Sequence, residues 1–321
     1  MTAQPAVTVV VTTFNRAGYL SRLLDSLERL QPAPAAVVVV DNASTDSTSE
    51  VLEAAAASFP VPLTVHRLAT NAGGSGGFSA GVERALAEGA TWLWLMDDDV
   101  EVLPGALAAF GPWLQQYRCL HGRRLDSTGE PFFWQHRFNP FLGVHFPVPG
   151  NVFASSPVFR TNVACFEGVL LHADAVRAVG LPDPRFFING DDTTYGWLVS
   201  QREPVVYINE FVLRKARPQK QIDLGVRHLN DSSNLGRYCG MRNRGHLARY
   251  LMEHGQFSRV GFALGTALTA AKELVRLVAV ERTLSGLGPL WHGWRESRFV
   301  LGDPDWQPMP ALDSRTTDAT S

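Results

Sequence analysis

The sequence predicts an α/β fold: a mostly parallel sheet flanked by helices, with a helical extension at its C-terminal end. Three observations predict it. Strand and helix patterns alternate four times within the first 100 residues. The strands are short, continuous apolar runs of the kind buried on both faces. Polar and acidic residues gather where those runs end, and ligands of such sheets bind outside the carboxyl ends of the strands.

Each element has its own reason. Val7 to Thr12 is a β-branched run, and Phe14 to Gly18 is the turn after it. Leu20, Leu23, Leu24, Leu27 and Leu30 then recur as the apolar stripe of a helix, which Pro32 and Pro34 stop. Ala36 to Val40 is a second strand ending at Asp41, and Asn42 to Ser47 is a polar turn rich in helix caps. An alanine-rich helix runs to Ala57, and Pro62 to Leu68 is a third strand. Asn71 to Gly77 reads as a glycine-rich loop and Phe78 to Glu88 as a helix. Thr91 to Met96 is a fourth strand, leading into Asp97-Asp98-Asp99.

Beyond residue 117 the periodicity weakens. Residues 121–160 read as loops with a few antiparallel strands, Gly168 to Val179 as a helix, and Val205 to Ile208 as a strand. Thr193 begins a helix, 211–237 is a long basic loop, and 238–252 and 258–280 are helical. Pro304, Pro308 and Pro310 predict a poorly ordered tail over 303–321. The expected division is a domain over 1–250 in two halves, 1–117 and 118–250, then a helical extension over 251–302.

Composition narrows the function classes. The 321 residues are 45% hydrophobic and 19% charged, which describes a globular chain. A net charge of −2 predicts no nucleic-acid partner. That total hides an asymmetry: residues 1–100 hold 11 acids and 5 bases, while 202–249 hold 4 acids and 10 bases. Cys119, Cys165 and Cys239 lie too far apart in sequence for a zinc motif or a disulfide framework, and suit a reducing compartment. The apolar start lacks a basic region before it and reads as a strand, not a signal peptide. The most apolar later stretch, Val260 to Val280, carries Lys272, Glu273 and Arg276, which disfavours a spanning helix.

Four constellations carry chemistry. Asp97-Asp98-Asp99 brings like charges together at a strand end, and a divalent cation would relieve their repulsion. Oxygen ligands suit Mg²⁺ or Mn²⁺, and the alternative is a solvated acidic loop. Phe186 to Asp192 delivers a second carboxylate pair at a helix start, suited to general-base work or to simple capping. Asn71 to Gly77 can bring backbone N–H groups close to a ligand or make a structural turn. Tyr238 to Arg244 supplies guanidinium groups for phosphate or a solvated face. Trp134, Trp197 and the Phe-rich stretch 132–146 are candidates for stacking on sugar rings or for filling the core.

As a set these segments resemble a known family. VTVVVTTFNRAGYLSRLLDSL, VVVVDNASTDST, NAGGSGGFSAGVERAL and WLWLMDDDV are similar, in order, to the N-terminal motifs of family 2 glycosyltransferases of the GT-A (Rossmann-like) fold. FFINGDDTTYGWLV and YCGMRNR look like that family's acceptor-side motifs. The combination is most similar to bacterial galactofuranosyltransferases and rhamnosyltransferases over about residues 7–250.

The resemblance implies a set of roles. Thr12, Thr13, Phe14 and Asp41 would bind the base and ribose of a nucleotide-sugar, with Asn71 and Gly74 beside the ribose. Asp98 would accept from a ribose hydroxyl, and Asp97 and Asp99 would face Mn²⁺ or Mg²⁺ as a DXD motif. Asp192 would be the base, Asp191 would orient the acceptor, and Arg242 and Arg244 would meet a diphosphate. A histidine metal ligand is expected near Phe211 to Lys215, where none stands. His228 is the substitute, or else Arg214 or Lys215 contacts the diphosphate directly.

The implied activity is inverting, metal-dependent transfer from a UDP- or dTDP-sugar, such as galactofuranose or rhamnose. The implied acceptor is a glycan or polyprenyl-diphosphate-linked glycan of the cell envelope. A cytoplasmic location at the inner membrane face follows, with helix 258–280 either touching the membrane or packed on the catalytic domain. A nicotinamide-dependent oxidoreductase is the competing class, although the turn Thr13 to Gly18 lacks the dinucleotide fingerprint. A catalytically silent glycan-binding protein of the same fold is the third.

Overall fold

Alternating Val side chains along one strand must point to opposite faces, so a run such as Val9-Val10-Val11 needs cover on both sides. The computed structural model supplies it. It describes residues 6–218 and 233–313, together with the backbone of 222–223 and 228–229. The chain begins β1 (Val7–Thr13), α1 (Ala17–Glu28), β2 (Ala36–Asp41), α2 (Thr48–Ser58), β3 (Leu63–Arg67), α3 (Gly73–Ala87) and β4 (Trp92–Asp97). Val9 and Val11 pack with Leu20, Leu23 and Leu27 of α1, while Val10 and Val38 pack with Phe78 and Val82 of α3.

The second half is more irregular. It contains β5 (Val100–Val102), α4 (Ala106–Phe110), β6 (Cys119–Leu125), the hairpin of β7 (His136–Asn139) and β8 (Val144–Pro147), β9 (Val158–Thr161) and β10 (Val169–His172). Then come α5 (Ala173–Val179), α6 (Asp191–Ser200), β11 (Val205–Lys215) and the paired β12 (Ile222–Asp223) and β13 (His228–Leu229). The helices α7 (Asn234–Glu253), α8 (Arg259–Val275, continuing as a π-helix over Arg276–Glu281) and α9 (Leu287–Gly302) follow.

The main sheet runs β3-β2-β1-β4-β10-β6-β11-β5, with β9 also on β11. The strands β3, β2, β1 and β4 are parallel. The short β10 runs against both β4 and β6, and β6 is parallel to β11. The carboxyl ends of β4, β6 and β11 therefore share one edge of the sheet.

Several expected boundaries move. The glycines over 73–77 are not a loop but the first turns of α3. Their purpose is close approach. A Cβ at Gly77 would run into Thr12 Oγ1, one at Gly81 would press on Val10 Cγ1, and one at Gly73 would meet the Phe187 carbonyl. Gly168 to Val179 is half strand and half helix, because Val169–His172 completes the sheet between β4 and β6. The strand predicted as Val205 to Ile208 continues to Lys215, converting the start of the basic loop into sheet. Residues 303–313 are not loose: Trp306 is buried, its indole donates to His246 at 3.0 Å, and Arg185 and Arg249 stack on its ring. The rest of the predicted tail, 314–321, lies outside the described residues. The three cysteines are free and buried.

A helical Gly→Ala change normally stabilises by about 0.5–1 kcal/mol. Gly74, where a Cβ meets open space, should follow that rule, whereas Gly77→Ala overpacks against Thr12 and should cost about 1–3 kcal/mol. Denaturant titration of the two variants, giving shifts of opposite sign, checks the wedge role of this helix.

Candidate active site

The strand ends build the first wall. Register places Thr13 beside Asp41 and Thr12 beside Asp97. Thr13 Oγ1 donates to Asp98 Oδ2 at 2.7 Å, and Arg16 Nη1 reaches Asp98 Oδ1 at 2.9 Å and Asp99 Oδ2 at 3.3 Å. Asp98 is buried, which raises its pKa despite Arg16 and Thr13. Asp41 is buried too, and accepts from Arg67 at 2.7 Å and the Ser44 amide at 2.8 Å. The Asn42 amide group donates to the Gly73 carbonyl and accepts from the Ala72 N–H, tying this wall to α3. Asn71 Oδ1 accepts the Gly73 N–H at 2.8 Å. Thr12 is buried under α3, while Phe14 is exposed and Gly74 faces open space. Asn15 and Ala43, in the turns after β1 and β2, hold left-handed backbone conformations.

The acidic cluster has a member that sequence reasoning missed. Carboxylate oxygens of Asp97, Asp99 and Glu167 lie within 4.8 Å of one another. Glu167 arrives there because Gly168, at φ +111°, turns the chain into β10, its N–H bonded to the Leu95 carbonyl. No motif flagged Glu167, since its partners are 70 residues away. Lys215, the residue standing near the expected histidine, is buried and donates to both Glu167 oxygens at 2.7 and 2.6 Å. Arg124 Nη1 lies 3.1 Å from the same carboxylate. Burial pushes the Glu167 pKa up, but Arg124 and Lys215 outweigh it and hold the group below its ordinary value. Asp97 behaves oppositely. Burial first, then Asp99, Glu167 and Asp98, raise its pKa well above the usual carboxylate range.

Three hard oxygen donors this close fit Mg²⁺ or Mn²⁺. Among the described residues the set is Asp97, Asp99 and Glu167. The proposed ligand His228 lies on β13, and its side chain is outside the described residues.

The second carboxylate pair sits on a strained loop. Phe187 and Asn189 both have positive φ, and Gly190, at φ +84°, opens α6. Asn243 holds this loop: its Nδ2 reaches the carbonyls of Phe186, Ile188 and Asn189 at 2.8 to 2.9 Å. Arg242 Nη2 donates to the carbonyls of Arg185 and Phe186, so the side chain expected to meet a diphosphate braces the loop instead. Arg244 is a correction of the same kind. It is buried and donates to the carbonyls of Leu142, Gly143 and Phe262, joining the β7–β8 turn to α8.

Asp191 and Asp192 occupy the first turn of α6, where the helix dipole favours their charged forms by about 0.3–1 kcal/mol. Burial wins. Burial and then Asp192 push Asp191 up to about 7. Asp192 is raised by burial, against hydrogen bonds from Thr193 and Cys165. Arg124 Nη1 also lies 3.6 Å from Cys165 Sγ. Arg124 and Cys165 therefore connect the carboxylate pair to the acidic cluster.

The sequence profile described as "Glycosyl transferase family 2" matches residues 8–169, half of the chain. The chain belongs to glycosyl transferase family 2. The GT-A fold matches the parallel β1–β4 half, and the carboxylate cluster at Asp97, Asp99 and Glu167 is compatible with a DXD-type metal site. Among curated relatives, the galactofuranosyltransferase GlfT1 of Mycolicibacterium smegmatis is 32% identical over 203 residues. The match takes in 60% of this chain and 64% of that one, so the chain spans less than two thirds of the relative's length. Two solved structures share the fold alone. GalNAc-T7 with UDP, GalNAc and Mn²⁺ superposes with a TM-score of 0.60 at 12% identity, covering 87% of this chain and 58% of that one. S. aureus TarS 1-349 superposes at 0.52 and 16% identity, covering 93% and 92%.

A raised pKa at Asp97 means the folded protein holds a proton there that the unfolded chain releases at lower pH. Stability therefore falls as pH climbs from the ordinary carboxylate range toward the raised value. A cation displaces that proton. Mn²⁺ should raise the melting midpoint more at about pH 8 than at about pH 5, and Asp97→Asn should abolish the difference in differential scanning calorimetry.

Proposed function

We propose that this family 2 protein is an inverting, metal-dependent transferase that moves a hexosyl group from a nucleotide diphosphate to an acceptor hydroxyl. The observation that carries it is the pairing of a proton-accepting carboxylate couple with a carboxylate cluster along one buried polar path. That path runs Asp192, Cys165, Arg124, Glu167. Asp97, Asp99 and Glu167 would hold Mn²⁺ or Mg²⁺, which neutralises charge on a departing diphosphate. The Thr13–Asp41–Asp98 wall would hold the nucleotide, with Arg16 beside the phosphates. Asp192 takes the acceptor hydroxyl proton as the oxygen attacks the anomeric carbon and the bond to the diphosphate breaks. One base and one displacement give inversion. Asp191 shares the proton and orients the acceptor, while Asn243 and Arg242 fix the loop that presents both.

The likeness to the galactofuranosyltransferase GlfT1 supports galactofuranose as the sugar moved. The donor in this reading is a UDP- or dTDP-sugar, such as galactofuranose or rhamnose, and the acceptor a glycan or polyprenyl-diphosphate-linked glycan of the cell envelope. Among the described residues no helix is long and apolar enough to cross a membrane. Exposed Val260, Leu264, Leu268, Trp291, Trp294 and Phe299 accompany exposed Arg259, Arg295 and Arg298 on α8 and α9. That mixture supports peripheral contact with an anionic membrane at the cytoplasmic face.

Nucleoside diphosphate release from a panel of nucleotide sugars with Mn²⁺ or Mg²⁺ tests the reading, and no release from any of them rejects it. Asp192→Asn should lower transfer by about 10²-fold or more while donor affinity stays near wild type. The base works only when deprotonated and burial raises its pKa, so the transfer rate should rise as pH climbs above the ordinary carboxylate range and then level off. A flat rate over that climb would remove the carboxylate pair from the base role.

A further inference from the structure

One cavity borders the polar path at Arg124 and is otherwise lined by residues given no role so far. It has a volume of about 310 Å³ and sits beside the carboxyl end of β6 and the first residues of β11, where Arg124, Phe132, Trp134, Phe153 and Tyr207 line it. Arg124 and Tyr207 are more than nine-tenths buried. Two polar atoms of these residues have no hydrogen-bond partner among the described residues: Arg124 Nη2 and Trp134 Nε1. The rings are held by cations. Arg124 lies 4.8 Å from the Trp134 centroid, and Lys215 Nζ lies 4.9 Å from that of Phe132. Phe132 and Trp134 stack at 17°.

We propose that this cavity is a subsite for a sugar ring of the acceptor, an inference that rests on the transferase reading above. Arg124 Nη2 and Trp134 Nε1 can only donate and lie beneath the cavity surface, so an occupant that reaches them brings acceptor oxygens. It must also cover aromatic faces. A lipid chain covers the rings and leaves the donors desolvated. A free anion meets the donors, but the Arg124 charge is already paired with Glu167. A neutral sugar ring, with hydroxyls at its rim and C–H groups on its faces, answers both demands. The volume is at the small end of ligand pockets, which fits one ring.

Position selects the acceptor over the donor. The nucleotide wall is made by β1, β2 and β4, and the cavity lies beyond β10 from it. Arg124 connects the cavity through Cys165 to Asp192, which puts two side chains between a ring held there and the base.

Saturation-transfer NMR on the full chain, with methyl galactofuranoside, methyl rhamnoside and methyl glucoside as probes, reads the subsite without turnover. At least one probe should bind, UDP-galactofuranose should not displace it, and Trp134→Ala and Phe153→Ala should each weaken it about tenfold. Trp134→Phe, which keeps a ring and loses the donor, should fall between and guards against a folding defect. In turnover, Trp134→Ala should raise the acceptor KM about tenfold and the donor KM less than about twofold. No probe binding to the wild type, equal binding by the variants, displacement by the nucleotide sugar, or a rise confined to the donor KM overturns the subsite. If the wild type releases no nucleoside diphosphate from any donor, the transferase reading fails by itself. The glycoside titrations still report whether the cavity takes a sugar.

Discussion

Mutual repulsion of carboxylates is the constraint on which the arrangement of this protein depends. Two unit charges 4 Å apart repel by about 4 kcal/mol at an effective dielectric of 20. Asp97, Asp99 and Glu167 are brought that close, with Asp98 next to them. The fold answers with cations from separate elements: Arg16 from the first turn, Arg124 from β6 and Lys215 from the end of β11. Each reaches the cluster because its strand or turn ends at the same sheet edge. The sheet is thus a device for meeting charge with charge at one place, and Asp97 is the member left with excess negative surroundings.

A second constraint acts on the other carboxylate pair. Asp191 and Asp192 are presented by a loop whose backbone is strained at Phe187 and Asn189. Such a loop persists only when its surroundings over-determine it. Asn243 and Arg242 grip its carbonyls from α7, Ser75 Oγ donates to the Asp183 carbonyl from α3, and Tyr250 donates to the Asp183 carboxylate. Trp306 closes the far side against Arg185. The β1–β4 half, the helical extension and the C-terminal segment therefore all contribute to placing Asp191 and Asp192.

Much of this was legible in the sequence because it depends on local periodicity. The valine runs, the leucine stripe of α1 and the Asp-Asp-Asp strand end needed no tertiary information. Glu167 was not legible, because its role is created by the pairing of β10 with β4 and by a left-handed glycine. The helical start at Gly73 was hidden for the opposite reason. Glycine lowers intrinsic helix propensity, and only contact with β1 and Phe187 shows why it is there. Arg244 looked like a phosphate ligand because a guanidinium serves carbonyls and phosphates equally well, and the sequence does not say which is nearby. Of the aromatic candidates, Trp197 fills the core while Trp134 lines a cavity, a distinction burial alone makes.

The pair formed by Lys215 and Glu167 bears on how such a protein can change over generations. Lys215 is tolerable in its buried position only beside Glu167, which also pairs with Arg124, since a lone buried charge costs far more than the pair. Forty-eight positions separate them, and the whole of β10, α5 and α6 lies between. A recombination crossover anywhere in that interval, joining this chain to a relative with different residues at these two places, would strand one charge without its partner. The two codons are in effect a linked unit. Segments that recognise the acceptor can be exchanged freely only if the crossover points fall outside it.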